Sequence, residues 1–355
     1  MKPSLKSLLR LLSRLRLDAV VIISRANKLY FSGYEYDEGF LLIDTAGLKL
    51  FVDPRFSIYA QQRVKAAEVI EARQPVVELN RSLKRYHTIG IDGSALLHRD
   101  FMLITSKLDR QKFRFIEQEL FKIRAVKSAE EVGYIKTAAR ASGKALNLLI
   151  NTITPDMTEK QVAAMLNLEL INAGADDISF DTIVAFDERA AYAHAIPSNA
   201  IKLRGKRLML CDFGAVYKGY HTDETHTFFA GSWSDDARKL YNAVLEAHTR
   251  AIDAAKAGMR ASKLDSVARE FLDKKGYGKY FGHALGHGVG LDVHESPSIN
   301  HRSKDILKNG MVFTIEPGVY IPDWGGIRIE SMLYLSDRGK EVLTRRNNPV
   351  INLEA

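Results

Sequence analysis

The chain begins with leucines at helical spacing, Leu5, Leu8, Leu9, Leu12 and Leu15, and then runs into an apolar, β-branched segment, Ala19-Val20-Val21-Ile22-Ile23. The first pattern predicts an amphipathic helix and the second a strand. Residues 1–17 are basic and free of acids, which also suits a transit peptide or a membrane-surface helix. Their direct run into the strand favours a surface helix docked on it. Further on, 20–24, 39–43 and 48–52 read as strands, 55–67 as a helix, 90–92 as a weak strand and 101–108 as a helix. Alternating short elements of this kind predict a small α/β domain with a buried sheet. The aromatic stretch Tyr30-Phe31-Ser32-Gly33-Tyr34 is expected in core and turn rather than around a cofactor.

Near 121–126 the pattern changes to long helices. Ser128 with Glu131 predicts a capping box opening a helix to about Leu149, and Thr158 with Gln161 predicts another, stopped by Gly174. A strand-rich region to Gly231 follows. Ser234 then caps a third helix through about Ala257, and Ser262 with Asp265 starts a fourth, ended by Gly276; strands return from about Val289. Two helices and then strands thus occur twice, and Met157 and Gly174 recur as Met259 and Gly276, both 102 residues later. The expected architecture is α/β (α+β), with domains at 1–122 and 123–355. In the second, two similar halves would meet at their strands and hold a site between them.

Composition narrows the function classes. At roughly 100–200 residues per domain, 355 residues suffice for two cores. Lys and Arg outnumber Asp and Glu by 51 to 43, but the signs are interleaved, as on a solvated surface, and no nucleic-acid partner is expected. No run approaches the ~20 apolar residues of a membrane span, so no membrane partner is expected either. The single cysteine, Cys211, excludes an internal disulfide and a cysteine-based zinc cage, and fits a reducing cytoplasm.

Candidate chemistry lies in the second domain. Strand-like runs from Arg207 to Phe229 flank Lys218-Gly219, a hairpin signal. A turn centred on Tyr217-Lys218 sets Asp212 opposite Asp223, and two like charges so placed call for a cation unless both face solvent. The segment from Gly282 to Pro297 puts His283, His287 and His294 among glycines, where the backbone admits close approach. Phe313-Thr-Ile-Glu316 ends an apolar strand on a carboxylate. Gly326-Ile-Arg328-Ile-Glu330 sets Arg and Glu on one strand face, a pattern that a solvated edge strand also shows. Together, Asp212, Asp223, Glu316 and Glu330 carry four negative charges, which two divalent cations would balance beside a neutral His287. Oxygen ligands with one imidazole suit Mn, Fe, Co or Zn, and a close pair of such ions supports metal-assisted hydrolysis.

With these segments in view, the sequence resembles the pita-bread metallopeptidase family, specifically its Xaa-Pro branch of aminopeptidase P and prolidase. The likeness spans nearly the whole chain. It includes Asn27-Lys-Leu-Tyr30-Phe-Ser-Gly33 and Leu50-Phe-Val-Asp53-Pro-Arg55 in a creatinase-type amino-terminal domain, and Arg124-Ala-Val-Lys127-Ser128 leading into the catalytic domain. The resemblance implies metal ligands at Asp212, Asp223, His287, Glu316 and Glu330, with Asp223 and Glu330 bridging two ions, Asp212 completing one, and His287 and Glu316 the other. It places His194, in Ala191-Tyr-Ala-His194-Ala-Ile-Pro-Ser, and His294 beside the scissile carbonyl, and makes Glu316 the proton-handling base. His283 and Arg328 are expected on the substrate side, with Arg328 alternatively locking the ligands. Manganese is the expected metal, with cobalt, iron or zinc as alternatives, and a cytoplasmic homodimer acting on proline-containing peptides is implied.

Three departures from the family pattern bear on substrate preference: Ser331 after Glu330, His226, and Phe186-Asp187-Glu188. Five intact ligand positions argue against a creatinase-like amidinohydrolase and against a binding protein that has lost catalysis. Between the two Xaa-Pro activities, the short catalytic frame and the lack of an extra carboxylate clamp favour aminopeptidase P, with prolidase as the alternative.

Overall fold

The computed structural model describes residues 3–106, 108–231, 233–344 and 349–351. The chain forms two compact units, Met1–Arg124 and Ala125–Ala355. Among the described residues, no helix is long and apolar enough to cross a membrane.

In the first unit, the elements run α1 (Pro3–Leu15), β1 (Ala19–Ile22), α2 (Arg25–Ser32), β2 (Phe40–Asp44), β3 (Leu48–Val52), α3 (Pro54–Arg63), β4 (Glu68–Glu71), α4 (Pro75–Leu83), β5 (Ile89–Ile91), α5 (His98–Thr105), β6 (Phe113–Phe115) and α6 (Glu117–Ala125). The strands form one mixed sheet in the order β4-β3-β2-β1-β5-β6. Strand β1 shows why its sequence is apolar throughout: Val20 and Ile22 enter one core, Ala19 and Val21 the other. Leu8, Leu11 and Leu12 of α1 are buried in the first of these cores. The amphipathic face of α1 is therefore spent on the sheet, as the docking expectation required; Met1 and Lys2 lie outside the described residues. Helix α2 was not apparent from periodicity. Ser24 caps it and Gly33, at φ 84°, ends it. A buried network underlies this corner. Asp92 accepts from the Ser24 hydroxyl at 2.5 Å and Asn27 Nδ2 at 2.9 Å, while Asn27 accepts from Arg124 at 3.0 Å.

The second unit continues α7 (Ala129–Thr152), α8 (Glu159–Asn172), β7 (Asp177–Ile178), β8 (Ile183–Phe186), β9 (Leu208–Phe213), β10 (Ala215–Tyr217), β11 (Tyr220–His221), β12 (Glu224–Ala230), α9 (Asp235–Ala254), α10 (Ala261–Lys274), β13 (Gly286–Gly288), β14 (Glu295–Ile299), β15 (Val312–Ile315), β16 (Gly318–Ile321), β17 (Gly325–Arg328), β18 (Ser331–Ser336), β19 (Gly339–Val342) and β20 (Val350–Ile351). Both predicted capping boxes, Ser128/Glu131 and Thr158/Gln161, are formed, and Ser234 caps α9. Helix α10 differs: it starts after Arg260, without a side-chain cap. Asp265 is engaged elsewhere, with Arg269 and the Leu285 amide.

The internal echo is structural. Leu203 N donates to Met157 O and Leu307 N to Met259 O, both at 2.9 Å. The isolated bridges Thr158–Lys202 and Arg260–Ile306 occupy the same relative places. Helices α7 and α8 pack with Met209, Cys211 and Phe213 of β9 in one core, and α9 and α10 pack with Leu208 and Leu210 in another. Strand β9 lies between the two cores, its residues alternating from one to the other. Asp212 is in phase with Leu208 and Leu210, which directs it toward the second half.

Candidate active site

The hairpin that presents the two aspartates is shifted by two residues from the expected pairing. Its turn is Lys218-Gly219, at φ 52° and 78°, with Tyr217 opposite Tyr220. Two successive positive φ values favour glycine at one of them, and the sequence supplies it at the second. The same register continues into β9 and β12, so Asp212 faces Thr225 rather than Asp223. Asp223 sits where the ladder breaks between β11 and β12, and the pair approaches diagonally.

The structure still brings the predicted acids and histidines together. Oxygens of Asp212, Asp223 and Glu330 lie within 4.8 Å of one another; so do ligand atoms of His287, Glu316 and Glu330, and of Asp223, His287 and His294. His287 Nε2 lies 3.4 Å from both Asp223 Oδ2 and Glu316 Oε1. Its Nδ1 donates to Gly288 O at 3.1 Å, which leaves the Nε2 lone pair facing the carboxylates. Glu316 follows β15, whose Thr314 hydroxyl steadies it at 3.1 Å, and Glu330 accepts from the Thr225 hydroxyl at 2.6 Å. Ile327, Arg328, Ile329 and Glu330 are all buried, so the solvated-edge alternative for this strand does not hold.

These acids suit cations. Desolvation, joined by the charges of Asp212 and Glu316, raises Asp223 well above the ordinary carboxylate range; desolvation and Asp223 do the same to Glu330, and burial raises Glu316. Among the described residues, Asp212 Oδ1 and Glu330 Oε1 are buried without a hydrogen-bond partner. Unpartnered acceptors inside an acidic cluster are what divalent cations would satisfy, so the donor set fits such a group.

Arg328 is buried among acceptors. It donates to Asp212 Oδ2 at 2.5 Å, Thr225 Oγ1 at 2.9 Å, Tyr320 Oη at 2.7 Å and Ala193 O at 3.4 Å. Of its two expected roles, this geometry favours holding Asp212 in place over binding substrate directly. Tyr320, which sequence reasoning missed, lies 3.1 Å from His283 Nε2. Because His283 Nδ1 donates to Ala284 O, Nε2 is left to accept from the tyrosine hydroxyl. Desolvation, reinforced by the Arg328 charge, pushes His283 down to about 4, and desolvation with His287 lowers His294 to about 4. The His294 and His287 ring centres lie 4.1 Å apart, with the planes tilted by 59°. His194 is exposed and close enough to His283 and His294 for its charge to disfavour theirs. The departures fall into place separately. His226 turns toward the opposite core, between Phe213 and Phe228, with Nε2 2.8 Å from Glu224; Ser331 is buried opposite Ile315.

Comparison with known proteins adds the family. Residues 133–337 match metallopeptidase family M24, and residues 5–126 match the Creatinase/Prolidase N-terminal domain. The chain belongs to family M24. Across 99% of this chain and 100% of the relative, it is 36% identical to a Xaa-Pro dipeptidase of Pyrococcus furiosus. The structure of a Xaa-Pro dipeptidase from Bacillus anthracis superposes with a TM-score of 0.92, at 30% identity and covering 99% of each chain. An X-Pro aminopeptidase from Thermotoga maritima superposes with a TM-score of 0.87, at 36% identity, covering 96% of this chain and 99% of its own. The α/β amino-terminal domain followed by an M24 catalytic domain is thus shared with peptidases of the Xaa-Pro branch.

Proposed function

We propose that this M24 peptidase is a prolidase, hydrolysing Xaa-Pro dipeptides. The supporting observation is its full-length likeness to a Xaa-Pro dipeptidase, at 36% identity. That reverses the order expected from the sequence, where aminopeptidase P came first. The residues that would hold divalent ions, manganese first among the candidates, are Asp212, Asp223, His287, Glu316 and Glu330. When bound, such ions would neutralise the carboxylates and polarise the water and the scissile carbonyl.

The chain's own residues then have distinct tasks. Glu316 takes the proton released as water adds to the carbonyl carbon and returns it to the proline nitrogen as the C–N bond breaks. His194 and His294 face the carbonyl oxygen and stabilise its developing charge. His283 contacts the proline side of the substrate. Arg328 holds Asp212 and, through Tyr320, orients His283. The family resemblance also supports a homodimer and a cytoplasmic location, which light scattering and cell fractionation test.

The deciding assay compares manganese-loaded enzyme on Ala-Pro, Ala-Pro-Ala and Ala-Ala-Ala. Cleavage confined to Ala-Pro is expected. Preference for the proline tripeptide instead makes the enzyme an aminopeptidase P, and equal cleavage of Ala-Ala-Ala removes proline specificity. Glu330→Ala should lose both metal, by elemental analysis, and activity. Full wild-type activity after exhaustive chelation would rule out metal-dependent hydrolysis.

A further inference from the structure

The segment that carries His194 leaves β8 at Phe186 and returns to α8 at Ser198, and both of its legs end on one carboxylate. Glu159, the first residue of α8, has no solvent-exposed surface. Its Oε1 accepts from the Phe186 amide at 2.8 Å, and its Oε2 from the Ser198 amide at 2.9 Å. Arg189, inside the arch, donates Nε to both oxygens, at 3.1 and 2.9 Å, and reaches on to Ile196 O at 2.5 Å. The returning leg is further tied by Glu159 N to Ile201 O and Lys160 N to Ser198 O, both at 3.1 Å. Near the base, Asp187 holds the Arg207 and Leu208 amides, each at 2.9 Å, joining the arch to the strand that bears Asp212. Phe186-Asp187-Glu188, one of the departures noted in the sequence, therefore forms part of the anchorage.

The second half contains a parallel arrangement. Asp265, on α10, is likewise without exposed surface. It accepts from Arg269 at 2.7 and 2.8 Å and from the Leu285 amide at 3.2 Å, while Arg269 donates to Phe281 O and His283 O at 2.9 and 2.8 Å. In each half, the second helix supplies a buried carboxylate that, with an arginine, fixes the backbone on both sides of a substrate-facing histidine. A buried carboxylate satisfied by backbone amides and an arginine is a stiff anchor, because loosening it leaves desolvated polar groups unpaired.

We propose that Glu159 and Arg189 are positioning residues: they clamp the 186–198 arch so that His194 is held at the scissile carbonyl, and they thereby set turnover without touching substrate or metal. The proposal rests on the role given above to His194. Misplacing a group by about 1 Å can reduce the rate by up to about a hundredfold, so a loss of about tenfold is expected from a loosened arch.

The test uses full-length, manganese-loaded enzyme carrying Arg189→Ala, Arg189→Lys, Glu159→Gln or His194→Ala, and each clamp variant combined with His194→Ala. Arg189→Ala should lower kcat on Ala-Pro about tenfold, with KM and bound metal near wild type, and Arg189→Lys should recover part of the loss. Added to His194→Ala, none of the three clamp variants should lower kcat further. Hydrogen exchange at the Phe186 and Ser198 amides should speed up in Glu159→Gln and Arg189→Ala. Multiplying losses in the double variants, or wild-type kcat in both Arg189→Ala and Glu159→Gln, would overturn the proposal. Unchanged exchange overturns the clamp itself, whereas wild-type turnover in His194→Ala overturns the role of that histidine.

Discussion

Thr225 is a single buried hydroxyl placed between two charged groups. It donates to Glu330 at 2.6 Å and accepts from Arg328 at 2.9 Å, so one atom orients a carboxylate and the guanidinium that holds Asp212. Thr225→Val keeps the shape and removes both bonds. Metal affinity should fall about 10–100-fold, read by isothermal titration, with little change in fold. The five proposed ligands were among the candidates legible in the sequence, because acids in apolar strands and histidines among glycines are poor core residues, but it was the family resemblance that implied which of them are ligands. Thr225 and Tyr320 gave no such signal. A threonine or tyrosine in an apolar strand reads as ordinary β propensity, and its hydroxyl acquires meaning only from a neighbour distant in sequence. The Asp212–Asp223 pairing was misread for a local reason, since moving the turn by one residue changes every opposed pair.

At the level of elements, the capping signals were the most legible. Ser128 accepts from the Glu131 amide while the Glu131 carboxylate accepts from the Ser128 amide, closing the first turn of α7. Ser128→Ala should destabilise the protein by about 1 kcal/mol, measured as a lower urea midpoint at unchanged slope. The start of α10 followed the same sequence pattern but not the same physics. Asp265 there is drawn inward to Arg269 and Leu285, a demand that no local reading contains. Strands β4 and β6 and helices α2, α4 and α6 also escaped notice, each being short and without sustained periodicity.

For the molecule as a whole, acid stability should expose the buried network of the first unit. Burial pushes Asp92 up, but hydrogen bonds from Asn27, Ser24 and Ser94 outweigh it and hold the group below its ordinary value. A depressed folded-state value means that the unfolded chain binds the proton more readily. The contribution is therefore complete above the unfolded value of about 3.9 and lost as pH falls through the lower folded one. Thermal melts from pH 6 to pH 3 should show Tm falling at the acid end, and Asp92→Asn should flatten that limb. The repeat of helices and strands was visible as two matched residue pairs, and the paired bonds of Met157 and Met259 give it a physical basis. It also has a kinetic consequence. Asp212 and Asp223 come from the first half, whereas His287, Glu316 and Glu330 come from the second, so neither half alone presents the full set. A cation held by all five proposed ligands would be captured during refolding only after the halves have docked, so its uptake would report that docking.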